Sequence, residues 1–208
     1  MTNEGGVYGS IRLLKNIMGM WLLQQSRAEW AEAGRAYSYD QLTTIAAGTP
    51  AFGPVVQPND TVFLGPGGMV KRIQHFCASH GQAVPQGEAE ITRCILESLA
   101  LEYRRVASQL DELAGGISSV IHIVGGGSRN WLLNQFTADC TGKTVVSGPV
   151  EATGAGNILV QAIALGHISG LAEGREIIRS SFTPQVYAPG DPSAWDAAYA
   201  KFISQETA

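Results

Sequence analysis

The sequence is short of charge. Lys and Arg number 14 and Asp and Glu 18 in 208 residues, 15% together, where soluble domains carry about 25%. The balance, 14 − 18 = −4, with no Lys/Arg run, excludes nucleic-acid binding through a basic field. Long hydrophobic runs are missing too. The densest, Ile17–Leu23, falls far below the roughly 18 apolar residues a membrane span requires, so no membrane partner is expected. The first six residues, Met1-Thr-Asn-Glu-Gly-Gly6, have neither the basic nor the apolar region of a signal peptide. Cysteine is scarce: Cys77, Cys94 and Cys140 are too few for a disulfide framework and suit a reducing cytoplasm, the expected localisation. Cys94 stands at helical spacing with Ile91, Ile95 and Leu99 and reads as a buried thiol; pairing with Cys77 under oxidation is the weaker alternative. Cys140 lacks the Cys-His-Asn/Asp pattern of a nucleophile. His75, His80, His122 and His167 show no ligand spacing, and neither HExxH nor CxxC occurs, so no metal site built wholly from this chain is expected.

What is present is apolar and glycine-rich, with 45% hydrophobic residues and 25 glycines, the reverse of a disordered composition. The apolar spacing predicts a helix from Ile11 to about Ala33. Its narrow polar stripe runs through Arg12, Lys15, Asn16 and Gly19 and continues to Gln24. Shorter helices are expected over Tyr39–Ala47, with Ser38 or Asp40 near the start, and over Met69–Ser79, separated by a Gly/Pro-rich connector. Pro85-Gln-Gly-Glu88 opens a long helix whose apolar face is Ile91, Cys94, Ile95, Leu99, Tyr103, Val106, Leu110 and Leu113, ended by Gly115-Gly116. Val120–Val124 and Thr144–Val146 read as buried strands. Helices are expected over Trp131–Phe136, Glu151–Leu165 and Leu171–Ser180, with a terminal helix from Ser193 to Gln205. Strand, glycine turn, helix, strand, helix is an α/β order with parallel strands, yet two strands make an incomplete sheet for a chain of this length.

Three local features bear on function. After the first strand, Gly125-Gly126-Gly127-Ser-Arg-Asn130 lets backbone approach a ligand, and the helix that follows offers N–H groups. A tight structural turn is the plainer explanation. A dinucleotide fingerprint would need glycine at Asn130, and a P-loop would need Gly-Lys-Ser/Thr; neither is present. In the expected first helix, Asn16 and Gln24 stand about 12 Å apart along the axis, roughly a triphosphate's length, although amides satisfied by backbone would look the same. Finally, small residues at Ala152, Gly154, Ala155 and Gly156 predict a helix packed closely on a neighbour, with Glu151 and Thr153 as weaker site candidates.

In this order these features resemble the C-terminal domain of the FGGY carbohydrate kinases. Thr2-Asn-Glu-Gly-Gly6, Arg12–Gln24, Cys94–Leu101, Leu132–Asp139 after the glycines, and Gly148–Thr153 with Gly156-Asn157 carry the resemblance, which runs from Thr2 to about Phe182. It implies the helix-rich part of an actin-like, ribonuclease-H-like ATPase domain: residues 1–184 as the nucleotide-side domain, residues 185–208 as a tail. The implied activity is transfer of the γ-phosphoryl group of ATP to a ketose. L-rhamnulose giving its 1-phosphate fits best, with fuculose or xylulose as alternatives and a non-catalytic nucleotide-binding or assembly protein as the other class of reading. By the resemblance, Gln24, Gly125, Gly126, Gly127 and Asn130 contact nucleotide, Asn16 contacts the sugar, and Mg²⁺ rides on the phosphates with its ligands mostly elsewhere. The family's N-terminal domain, its catalytic aspartate in a His-Asp-Thr context and its Gly-Thr-Trp-Ser phosphate loop have no counterpart in these residues. Hence no catalytic residue, no turnover by these residues alone, a missing partner domain and self-association are expected.

Overall fold

The computed structural model describes residues 1–205. It begins with β1 (Thr2–Gly5) and β2 (Ile11–Leu14), an antiparallel hairpin in register Thr2↔Leu14 to Gly5↔Ile11. The helix expected from Ile11 therefore starts only at α1 (Trp21–Glu32). Two local facts explain the difference. Glu4 faces Arg12 across the hairpin and forms an ion pair with it, and Gly19 adopts φ +58°, which ends any continuous right-handed helix through it. The polar stripe is consequently not one helix face, and the 12 Å spacing of Asn16 and Gln24 has no helical basis.

Helices α2 (Tyr39–Ala47) and α3 (Met69–Ser79) follow as expected. Ser38 and Gln41 close a capping box at the start of α2, each side chain bonded to the other's backbone N–H. The long α4 (Gly87–Ala114) ends on Gly115 at φ +67°. It is the axis of the core. From Cys94 to Glu102 every residue is buried, so the middle of α4 is enclosed on all sides rather than on one face. The apolar face fades after Val106, and Leu113 is 62% exposed. Leu22, Leu42, Phe63, Ile73, Phe76 and Phe136 surround the helix.

The remainder is α/β. β3 (Val120–Ile123), α5 (Trp131–Thr141) and β4 (Thr144–Ser147) form a β–α–β unit with parallel strands. α6 (Ala152–Ala164) and α7 (Leu171–Ser181) lead to β5 (Gln185–Tyr187), which pairs antiparallel with β4, and α8 (Ser193–Ser204) closes the described chain. The sheet order is β3-β4-β5, leaving β3 at an edge with no partner among the described residues. β3 is half-exposed instead of buried, with Val120 at 39%, because only one face of the sheet is covered. The stripe of small residues on α6 also departs from expectation. A Cβ at Gly154 or Gly156 would meet nothing within 4 Å, so these residues face open space, not a packed neighbour. The terminal helix expected from Ser193 forms as α8 within the segment expected as a tail, and its Trp195 and Phe202 belong to the main core. Residues 206–208 lie outside the described residues.

Candidate functional site

The site is assembled where the β3–α5 turn meets the start of α2. Gly125 has φ 81° and ψ −171°, a conformation closed to side chains. Its N–H donates to Pro149 O at 3.2 Å, and Gly148 N–H donates to Ile123 O at 2.8 Å, so the turns after β3 and β4 are stitched together. Gly126–Arg129 form a single 3-10 turn. A Cβ on Gly126 or Gly127 would find nothing within 4 Å; both backbones border a cavity.

Asn130 then caps α5. Its Oδ1 accepts from Leu133 N–H at 2.9 Å, and its Nδ2 donates to Thr43 Oγ1 at 3.2 Å. This buried amide bonds α5 to α2 across the site, so its side chain acts as a strut. At the far end of α2, Arg93 Nη1 donates to the carbonyls of Ala46 and Thr49 at 3.1 and 3.0 Å. Glu97 holds the Arg93 Nε at 2.6 Å and accepts from Phe52 N–H. Burial pushes the Glu97 carboxyl up, against the pull of Arg93 and the Phe52 N–H.

Between these walls lies a cleft of about 700 Å³ reaching from α1 to the start of α6. Of the residues singled out from sequence, Gln24, Gly126, Gly127, Asn130 and Glu151 line it together. Gly125 shapes the turn without lining the cleft. Asn16, exposed between β2 and α1, and Thr153, exposed on α6, are not among the lining residues. Met20, Ser38, Tyr39, Asp40, Thr43, Arg129 and Val150 line it as well. The α2 contributors had no local signal beyond a helix start, because α2 is placed at the cleft by contacts distant in sequence, its core packing and the Asn130–Thr43 bond. Asp40, Arg129 and Val150 also border a second cleft of about 450 Å³ that runs along Ser147–Pro149. The main cleft thus offers amide, hydroxyl and charged groups of both signs beside open glycine backbone, a combination suited to a ligand with a flat base, hydroxyls and phosphates.

Elsewhere the polar groups serve the structure. A groove of about 630 Å³ beside the end of α4 contains Lys143 and Asp111, but these pair with each other at 2.7 Å. Among the described residues no cluster of His, Cys, Asp and Glu could hold a metal, and no helix is long and apolar enough to cross a membrane. The three cysteines are free and buried, and burial drives the Cys140 thiol up to about 12, leaving it inert.

Residues 1–165 match the C-terminal domain of the FGGY family of carbohydrate kinases. A rhamnulokinase of Bacteroides thetaiotaomicron is 46% identical over 201 residues, covering 97% of this chain and 41% of that protein. A rhamnulokinase of Pectobacterium carotovorum is 43% identical over 202 residues, covering 97% and 40%. The chain thus spans about two-fifths of the length of the curated relatives it matches. Among solved structures, Plasmodium falciparum glycerol kinase with ADP superimposes with a TM-score of 0.63 at 14% identity, over 88% of this chain and 36% of that one, which shows the fold alone.

Proposed function

The chain belongs to the FGGY family of carbohydrate kinases, and from that premise we propose that it is the nucleotide-side portion of a rhamnulokinase-like enzyme. The reaction proposed for the whole protein is ATP + L-rhamnulose giving ADP + L-rhamnulose 1-phosphate. The observation that carries this reading is the convergence of Gln24, Gly126, Gly127, Asn130 and Glu151 on one cleft. Here the open glycine turn would receive the nucleotide, and Gln24 would contact it from α1. Asn130 would act chiefly by holding the turn against α2. Asn16, on the exposed stretch beside the hairpin, would contact the sugar from outside this cleft.

Phosphoryl transfer depends on positioning, charge stabilisation and a base for the attacking hydroxyl. The chain supplies the first of these and no assigned base, so by this reading turnover needs the remainder of the kinase. Mg²⁺ fits this donor set only as an ion carried on phosphate oxygens: Asp40 and Glu151 are the carboxylates on the cleft, too few for a protein cage. The partner proposed is the rest of the enzyme, reached through the unpaired edge of β3 and exposed apolar groups such as Ile158 at 69% and Val186 at 65%. Left uncovered, these surfaces would drive self-association. A reducing cytoplasm is the compartment proposed, in keeping with the free thiols.

Calorimetric titration with ADP tests the reading. Because a Cβ at Gly126 meets nothing within 4 Å, Gly126→Val should leave the fold intact while its methyl groups intrude on the cleft beside the glycine turn. Binding by the wild type, abolished in Gly126→Val and weakened in Gln24→Ala, with no turnover of ATP on L-rhamnulose, is the expected result. A Gly126→Val protein that binds ADP like the wild type would refute it.

A further inference from the structure

Of the residues lining the 700 Å³ cleft, Tyr39 is the one aromatic, and it is 40% exposed there. An aromatic side chain among polar groups in a cleft is the kind of lining that binds small ligands. Tyr39 opens α2, whose first turn is fixed by the Ser38–Gln41 capping box and whose next turn is tied to the glycine-turn side by Thr43 and Asn130. Behind it stands Arg27. The guanidinium carbon lies 4.8 Å from the ring centroid, while Nε donates to Tyr37 O at 2.6 Å. Tyr39 lines the cleft and Arg27 does not, so the cation backs the ring from outside the cleft while the ring itself stays 40% exposed. The cap and the cross-helix hydrogen bond fix the backbone that carries the ring, Arg27 stands against the ring itself, and among the described residues no aromatic ring stacks on it.

We propose that the exposed ring of Tyr39 is the stacking platform for the nucleotide's base. Arg27 is then a positioning residue that fixes the ring without touching the ligand. The inference rests on the nucleotide reading of the cleft and adds to it which end of the ligand lies against α2. The chemistry of the remaining walls agrees: Met20 and Val150 supply apolar surface, while Asp40, Arg129 and Glu151 supply charge for hydroxyls and phosphates. Stacking on a π-face tolerates any base, so Tyr39 sets affinity for the base end more than choice among purines.

The test is calorimetric titration of the wild type, Tyr39→Phe and Tyr39→Ala with ADP and with pyrophosphate, which has no base. Tyr39→Phe keeps the ring and should bind ADP within about twofold of the wild type. Tyr39→Ala should weaken ADP by roughly fivefold to 150-fold, the range for one base–aromatic stack, and leave pyrophosphate binding unchanged. Equal ADP binding by wild type and Tyr39→Ala overturns the platform while leaving the nucleotide cleft standing. Parallel loss of pyrophosphate binding also overturns it, because the effect would then be distortion of the cleft. Absence of ADP binding by the wild type overturns the underlying reading, and the platform with it.

Discussion

Replacing Arg93 with alanine strikes the joint between the core and the wall of the cleft. Arg93 is about nine-tenths buried, with its side chain 11% exposed, and its partner Glu97 is 1% exposed. The guanidinium also lies over the Phe136 ring at 4.9 Å. Its removal strands the Glu97 carboxylate with only the Phe52 N–H and releases the carbonyls at the end of α2. Breaking a buried pair from one side costs about 3–5 kcal/mol. At roughly 2–4 °C per kcal/mol for a chain of this size, the melting temperature should fall by about 6–20 °C, measured by circular dichroism at pH 7. A second arm uses the stranded charge. The Glu97 carboxyl, already raised by burial, is raised further without Arg93, so the folded variant binds a proton that the unfolded chain releases. Its deficit should therefore narrow as the pH falls from 7 toward the ordinary carboxylate range. The double variant Arg93→Met/Glu97→Leu, which removes both charges and keeps volume, should regain most of the loss. A single-variant cost below about 1 kcal/mol, the level of an exposed pair, with no pH dependence, would refute the reasoning.

Two further outcomes follow from the same kind of accounting. Phe202, fully buried although it lies within the segment expected as a tail, should cost about 3–5 kcal/mol on truncation to alanine, read from urea midpoints; a loss under about 1 kcal/mol would mean that α8 is not part of the core. Asp111 is held down to about 2 by the Lys143 ammonium and by Ser118, so its contribution is present above its ordinary 3.8 and lost as the pH falls toward about 2. The stability gap between wild type and Asp111→Asn should accordingly close over that interval.

What the sequence disclosed and what it hid divide along physical lines. Helices α2, α3, α4, α5 and α7 were legible because spacing, caps and glycine stops are local, as at Ser38, Gly115 and Gly142. The hairpin was hidden because its strands, four residues each, owe their form to each other, with Glu4 opposite Arg12. Read alone, Ile11–Leu14 simply extends the apolar pattern of α1. Gly126, Gly127 and Gln24, singled out in the sequence, line the same cleft. Tyr39, Asp40 and Thr43 were not singled out as site residues, because α2 meets the turn through contacts distant in sequence, its core packing and the bond between Thr43 and Asn130, 87 residues away. The connector before α3 is the loop the sequence predicts, apart from one 3-10 turn at Thr61–Phe63, but what anchors it was not legible. It is held by the buried polar groups of α4: Ser98 accepts from the Val56 backbone N–H at 2.9 Å, and Glu102 accepts from the Asn59 side-chain Nδ2 at 2.7 Å. Those residues interrupt an apolar face in sequence and become intelligible only with their partners in view.

These bonds also give the cleft two unlike sides. On one, α1, α2 and α5 are fixed by directional contacts. Asn59 accepts from Met18 N–H at 2.8 Å, Gln25 accepts from Gly67 N–H at 3.0 Å, Arg93 holds the end of α2, and Asn130 joins α2 to α5. Apolar packing alone is non-directional, so such bonds set where Gln24, Tyr39 and Gly126 stand relative to one another. The other side is Val150 and Glu151 leading into α6. There α6 has no buried residue, and α7 has only Gly174. A wall with so little buried surface lies at the low end of local stability, so a ligand closing the cleft must spend part of its binding free energy ordering that side. It follows that the isolated chain should hold ADP more weakly than a protein in which the β3 edge and α6 are covered. The same argument explains why the fully anchored side, with Tyr39 and Gly126, is where substitutions can be read most cleanly.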